Sequence, residues 1–171
     1  MQAVLPGMRD RKSGTIVNIS SISGLRALPC GSIYAASKHA LEGTSESLAQ
    51  EIAPFNIRIL IVEPGAFCTN FLGQDATWYQ PLRNEYRGTL VDSVLDRLRR
   101  SDGKQQGDPE KGAERIYEVV MGEGMAKGRP EYLRLPLGAE GLKNARAKAN
   151  QLMETFDALE DIALSTSFEE D

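Results

Sequence analysis

The apolar positions change their period along the chain, and those changes divide it into elements. Residues 15–20 (Thr-Ile-Val-Asn-Ile-Ser) are short and β-branched, which predicts a strand. Leu41, Thr44, Leu48 and Ile52 then recur every three to four positions, so 32–53 reads as one long helix, stopped by Pro54. Residues 57–62 (Ile-Arg-Ile-Leu-Ile-Val) are almost unbroken apolar. A strand needs that pattern when helices cover both of its faces, as in a parallel sheet. Strand, long helix, strand is a βαβ unit, so the fold class is α/β.

Outside this unit the pattern continues less regularly. Residues 1–9 read as the tail of a helix, followed by a polar turn over 10–14. The stretch 66–107 carries Phe71, Leu72, Trp78 and Tyr79, then a helix with Val91, Val94, Leu95 and Leu98 on one face. Asp108-Pro109 is a helix start, a cap residue followed by proline in the first turn. The helix it opens sets Ala113, Ile116, Tyr117 and Val120 on one side. A short edge strand is expected at 132–135. From Gly138 onward Leu142, Ala145, Ala149, Leu152, Phe156 and Leu159 follow a 3-4-3-4-3 spacing, which is helical. The end, 165–171, is polar and acidic and should fray.

Composition narrows the partners. At 171 residues the chain is long enough for one domain with a real core. It is 41% apolar and 26% charged, the balance of a soluble globular protein. The net charge of −4 and the lack of a basic stripe argue against a nucleic-acid partner. Cys30 and Cys68 match neither a metal spacing nor a disulfide framework, so no metal is expected and both read as small packing residues in a reduced, cytoplasmic setting. No apolar run approaches ~18 residues, so neither a membrane span nor a membrane partner is expected. The first nine residues do not read as a signal peptide.

The candidate chemistry lies where the first strand meets the long helix. Tyr34 and Lys38 are four apart, on one helical face and in mutual reach. A free tyrosine, with a pKa of about 10, is a poor base at neutral pH. A nearby ammonium favours the phenolate, so the pair is a plausible general acid/base. Ser21 ends the preceding strand, and the intervening turn can bring its hydroxyl beside the helix start to hold a carbonyl or alcohol oxygen. On its own, Tyr-x-x-x-Lys is a weak signal that arises by chance in many helices.

Three segments in fixed order strengthen it: Asn18-Ile19-Ser20-Ser21-Ile22-Ser23-Gly24, the run Tyr34-Ala35-Ala36-Ser37-Lys38, and Pro64-Gly65-Ala66-Phe67-Cys68-Thr69. In these the chain resembles the short-chain dehydrogenase/reductase family, closely over 1–72 and more loosely to about residue 137. The resemblance implies the C-terminal half of a doubly wound, Rossmann-type parallel sheet. It implies hydride transfer between a nicotinamide and a small-molecule alcohol or carbonyl. Ser21 would orient the substrate oxygen, Tyr34 exchange a proton with it, and Lys38 act on Tyr34 and the nicotinamide ribose. Pro64, Gly65, Phe67 (through its backbone) and Thr69 would line the nicotinamide, Thr69 reaching its carboxamide or the adjoining phosphate. NADP is favoured over NAD as the cofactor.

The departures are equally specific. The family's glycine-rich phosphate loop, its cofactor-selecting residue and the asparagine that completes its catalytic set have no counterpart before residue 15. Gly122-x-Gly124-x-x-x-Gly128 follows a helix rather than a strand and cannot supply the phosphate turn. The domain reading is therefore 1–137 as a partial Rossmann-type domain and 138–171 as a terminal helix with an acidic tail. The leading function is an NAD(P)-dependent oxidoreductase. The alternative is a truncated, catalytically inactive remnant acting as an interaction module. A homo-oligomer through helix 32–53 is an expected partner arrangement. Trp78, Tyr79 and Phe71 read as core or pocket wall, with 71–98 as an apolar cover over the substrate. His39, Glu63 and Ser20 read as structural: a helix histidine, a strand-end residue and a neighbour of Ser21.

Overall fold

A short helix α1 (Leu5–Asp10) leads into strand β1 (Gly14–Ile19), the long helix α2 (Ser32–Ile52) and strand β2 (Ile57–Pro64). Helices α3 (Leu90–Ser101) and α4 (Pro109–Met121), strand β3 (Arg134–Leu137), and helices α5 (Ala139–Ala158) and α6 (Glu160–Leu164) follow. The structure, a computed structural model, describes residues 1–73, 76–77 and 80–168. The three strands form one parallel sheet in the order β1-β2-β3, with Gly14 opposite Ile57 and Ile61 opposite Arg134. All three strands therefore end on the same side of the sheet.

The unbroken apolar run of β2 is explained by burial on both faces. Ile57, Ile59 and Ile61 turn one way, onto Ile16 and Ile52, with Leu5, Met8, Leu48 and Phe55 packed around them. Leu60 and Val62 turn the other way, onto Leu137, with Phe67, Ile116, Val119 and Val120 packed around them. Thus α1 and α2 cover one face and α4 the other, the layering expected of a parallel sheet.

Helix α2 sits on the sheet differently from the way its apolar spacing suggested. Thr44 is exposed, and the buried positions are Ala35, Glu42, Ser45 and Ile52. The two polar ones are satisfied. The Ser45 hydroxyl donates to the Leu41 carbonyl at 2.6 Å and accepts from the Asn18 amide at 2.8 Å. Hydrogen bonding of this kind is what permits a polar helix face to be buried.

Helix α4 begins as expected. The Asp108 carboxylate accepts from the backbone N–H groups of Glu110 and Lys111 at 2.9 and 3.3 Å. At its other end the Arg58 guanidinium donates to the carbonyls of Val119 and Val120 at 3.0 and 2.7 Å, a cation on the negative end of the helix dipole. Gly122, Gly124 and Gly128 all have positive φ. They terminate α4 and shape the turn after it. The third strand lies two residues later than the expected 132–135. Its first ladder bond is accepted by the Leu133 carbonyl, from Ile61 N–H at 2.7 Å, and Tyr132 is left exposed. Pro136 would argue against a central strand but is tolerated on an edge. Among the described residues, no helix is long and apolar enough to cross a membrane.

Candidate active site

The sequence-predicted residues gather at the carboxyl ends of β1 and β2, the side of a parallel sheet where ligands bind in open α/β folds. Ser21 lies two residues beyond the end of β1 rather than on it. There it caps a tight turn, Ile22–Gly24, its hydroxyl oxygen accepting from Ser23 N–H at 3.1 Å, and it is buried. Tyr34 and Lys38 occupy the first turns of α2. The Lys38 ammonium donates to the Ile19 carbonyl, the last of β1, at 2.9 Å. It also lies 5.7 Å from the centre of the Tyr34 ring. One lysine thus ties the helix start to the strand end that carries Ser21.

The loop after β2 closes over the same point. Thr69 caps a tight turn, Asn70–Leu72, by accepting from Phe71 N–H at 3.3 Å. That turn sets the Phe71 ring 5.5 Å from the Tyr34 ring, centre to centre, at 49°. Phe71 is half-exposed, so of the two roles open to it, the structure gives it the wall beside Tyr34 and not the core. Phe67 points the other way. Its ring fills the space between Gly107 and Gly112, where an added Cβ would approach it to 2.7 and 2.8 Å. Its neighbours Ala66 and Cys68 exchange backbone hydrogen bonds with Gly107 at 2.9 and 2.8 Å. Gly65 lies against α5: a Cβ there would come within 2.7 Å of the Gly141 backbone nitrogen, and Gly65 N–H donates to the Leu137 carbonyl at 2.9 Å. Two glycines let strand end and helix start touch backbone to backbone, which fixes where the loop leaves the sheet.

Beneath the site lies an ionic cluster that the sequence did not announce. The Ser20 hydroxyl donates to one oxygen of Glu42 at 2.5 Å. The other oxygen of Glu42 accepts from the Arg134 guanidinium at 2.6 Å. Arg134 also pairs with Glu63, and with Glu46 at 2.5 Å. Glu42 and Glu63 are buried, at 3% and 1% exposure. Burial pushes the Glu63 carboxyl above the ordinary glutamate range, although Arg134 pulls the other way. Burial also disfavours the Arg134 cation, but hydrogen bonds to Glu42, Glu46 and Glu63 outweigh it and hold the guanidinium charged more firmly than usual. A Cβ at Gly24 would lie 2.0 Å from the Glu42 carboxylate, so that glycine leaves the room the cluster needs. The signal was Glu63 itself, since a charged residue ending a strand buried on both faces requires a partner.

The remaining candidates fall out simply. The His39 ring nitrogen Nδ1 lies 2.9 Å from the Ala35 carbonyl of its own helix, away from the site. Cys30 and Cys68 are exposed, not the packing residues expected. Cys30 occupies a left-handed turn position with φ 69°, and Cys68 follows the inward-facing Phe67 and turns outward. Trp78 and Tyr79 lie outside the described residues.

Comparison with known proteins agrees with this geometry. The family model described as short chain dehydrogenase matches residues 1–80. The chain is 36% identical over 149 residues to the uncharacterized oxidoreductase YusZ of Bacillus subtilis (strain 168), covering 83% of this chain and 49% of that protein. Its fold matches the crystal structure of a short-chain dehydrogenase from Streptomyces avermitilis with a TM-score of 0.82 and 36% identity, covering 98% of this chain and 58% of that one. It matches ElxO, solved with NADP bound, with a TM-score of 0.54 and 26% identity, covering 84% of this chain and 52% of that one. The chain spans about half the length of the relatives that it matches along most of its own. Motifs, sheet and relatives point one way: over residues 1–80 the chain matches the short-chain dehydrogenase family model, and along most of its length it is similar to short-chain dehydrogenases.

Proposed function

We propose that this chain carries the reaction half of an NAD(P)-dependent oxidoreductase that moves a hydride between a nicotinamide and an alcohol or carbonyl carbon. The observation that carries the reading is the tie between Lys38, the last carbonyl of β1 and the Tyr34 ring, beside the turn that holds Ser21. In this reading Ser21 donates a hydrogen bond to the substrate oxygen, and Tyr34 gives that oxygen its proton in reduction or takes it in oxidation. The Lys38 ammonium stands 5.7 Å from the centre of the Tyr34 ring and holds the helix start against the strand end. Phe71 shields the phenol from bulk water on one side. A bound nicotinamide supplies the carbon that gives or accepts hydride.

The donors present suit the nicotinamide end of such a cofactor: the Lys38 ammonium, the Tyr34 phenol, the Thr69 hydroxyl, and the backbone of Pro64, Gly65 and Phe67. The glycine-rich turn that would seat the pyrophosphate has no counterpart in this sequence. The NADP bound to ElxO supports a nicotinamide dinucleotide as the cofactor, and NADP is the one proposed. In the same reading, 1–137 forms the catalytic part and 138–171 a helical extension.

The test joins residues 1–171 to the part of YusZ that lies outside the match and follows nicotinamide absorbance with a panel of carbonyls and alcohols. Turnover of at least one compound with NADPH or NADH is expected. A folded chimera that binds NADPH but turns over nothing on a broad panel would favour the inactive remnant instead.

A further inference from the structure

The Ser21 hydroxyl is held from within its own turn, by Ser23 N–H at 3.1 Å, so the place of the turn sets the place of the hydroxyl. Two residues seat that turn, one on each side of Ser21. Ser20, before it, donates its backbone N–H to the Val62 carbonyl of β2 at 2.8 Å and its hydroxyl to Glu42 at 2.5 Å. Gly24, after it, donates its N–H to the Ser21 carbonyl at 2.8 Å and lies directly over the Ser20–Glu42 bond. A Cβ at Gly24 would stand 2.0 Å from Glu42 Oε1 and 2.7 Å from Ser20 Oγ. One carboxylate oxygen therefore underlies both ends of the turn.

That oxygen is held from the far strand. Glu42 is buried, and a buried carboxylate keeps its charge only beside a cation. Its second oxygen accepts from Arg134 of β3 at 2.6 Å. The same guanidinium nitrogen donates to Glu63 on β2, and the other terminal nitrogen donates to Glu46 on α2 at 2.5 Å. A planar fork is suited to several carboxylates at once, and here it clamps helix to sheet at one point. The Ser20 bond is short, as a hydroxyl bond to an ionised carboxylate is. Arg134 lies in none of the three motif segments and outside the residues that the family model matches.

We propose that Arg134 is a positioning residue for Ser21, acting through Glu42 and Ser20 on the turn that carries the serine hydroxyl. Its bearing on the reaction rests on Ser21 meeting the substrate oxygen, as proposed above. The link itself is open to measurement in the chain alone.

The test is amide hydrogen exchange, read residue by residue by NMR on the 171-residue chain. Arg134→Lys keeps a charge on β3 and gives up the fork. It should speed exchange of the Ser23 and Gly24 N–H groups at least about tenfold, the order of a coupling between contacting groups. Gly107 and Gly112, whose N–H groups donate to Ala66 and Asp108 beyond the opposite face of the sheet, should exchange as in the wild type. Glu42→Asp, too short to reach Ser20 and Arg134 together, should act in the same way, and it decides the matter if Arg134→Lys does not fold. Ser20→Ala combined with Arg134→Lys should loosen the turn no more than Ser20→Ala alone, because both act along one path. Unchanged exchange at Ser23 and Gly24, acceleration that spreads to Gly107 and Gly112, or fully additive effects in the double variant would each overturn the proposal. In the YusZ chimera, Arg134→Lys should lower kcat about tenfold with a smaller change in KM, again the order of one coupling. If Tyr34→Phe kept full turnover there, the catalytic reading would fail while the exchange result stood. If Tyr34→Phe were inactive and Arg134→Lys fully active, the positioning role alone would be overturned.

Discussion

Glu63 ends a strand of isoleucine, leucine and valine, faces Arg134, and is almost sealed from solvent. Its carboxyl titrates above the ordinary 4.5 because burial outweighs the help of Arg134. From that value up to its own folded pKa, the folded chain keeps a proton that the unfolded chain has already lost. Stability drawn from this group is therefore complete at the acid end of the window and falls as pH rises through it. Urea denaturation across that window should show the wild type losing stability relative to Glu63→Gln as pH rises. A constant difference between the two would mean that the buried carboxyl does not titrate as described. Glycines make a second contrast at this scale. At Gly43, mid-helix, an added Cβ meets nothing, so Gly43→Ala should stabilise by about 0.5–1 kcal/mol through helix propensity. At Gly65 the same methyl would meet the Gly141 backbone, which cannot turn aside as a side chain could. Gly65→Ala should cost about 1–3 kcal/mol. Thermal unfolding of the two variants reads both signs.

Among the elements, β2 was legible because burial on both faces leaves an unbroken apolar run, and α4 because Asp108-Pro109 is local start chemistry. Helix α2 was legible in extent but not in facing. Leu41, Thr44 and Leu48 carry the apolar period, yet Glu42 and Ser45 take the buried positions, since their partners lie on β1, β2 and β3 and cannot be read from the helix alone. The candidate site followed the same division. Tyr34 and Lys38 share a helical face by spacing, whereas the contact of Phe71 with Tyr34 depends on a loop that spacing does not describe. The cluster also links elements to chemistry. Ser20 is held on α2 by Glu42, and Lys38 holds Ile19, so the strand end before Ser21 is pinned twice. Ser20→Ala releases one pin and leaves the buried Glu42 short of a donor, a cost of about 1–3 kcal/mol. In the YusZ chimera it should also lower kcat more than it raises KM. An unchanged kcat would make Ser20 purely structural.

At the scale of the whole molecule, the sheet offers its carboxyl edge with the candidate residues Ser21, Tyr34 and Lys38 nearby, but no phosphate turn occurs in the sequence. Most dinucleotide affinity comes from backbone N–H groups and a helix N-terminus facing the pyrophosphate. The 171-residue chain alone should therefore quench or enhance nicotinamide fluorescence only weakly, whereas the chimera should bind NADPH or NADH tightly. Micromolar binding by the chain alone would show that the nicotinamide end suffices. Substrate choice belongs to this scale too. Exchanging 72–98 for the corresponding stretch of YusZ should shift the ranking of carbonyls and leave cofactor affinity nearly unchanged.

The central claim is that Tyr34 handles the proton at the substrate oxygen, and it is tested most directly by the turnover of Tyr34→Phe in the chimera. The variant keeps the ring that packs against Phe71 and beside Lys38, and loses only the hydroxyl. The account predicts a fall in kcat of at least about 10², the usual worth of general acid/base catalysis, with NADPH binding retained. Turnover near that of the unsubstituted chimera would contradict it.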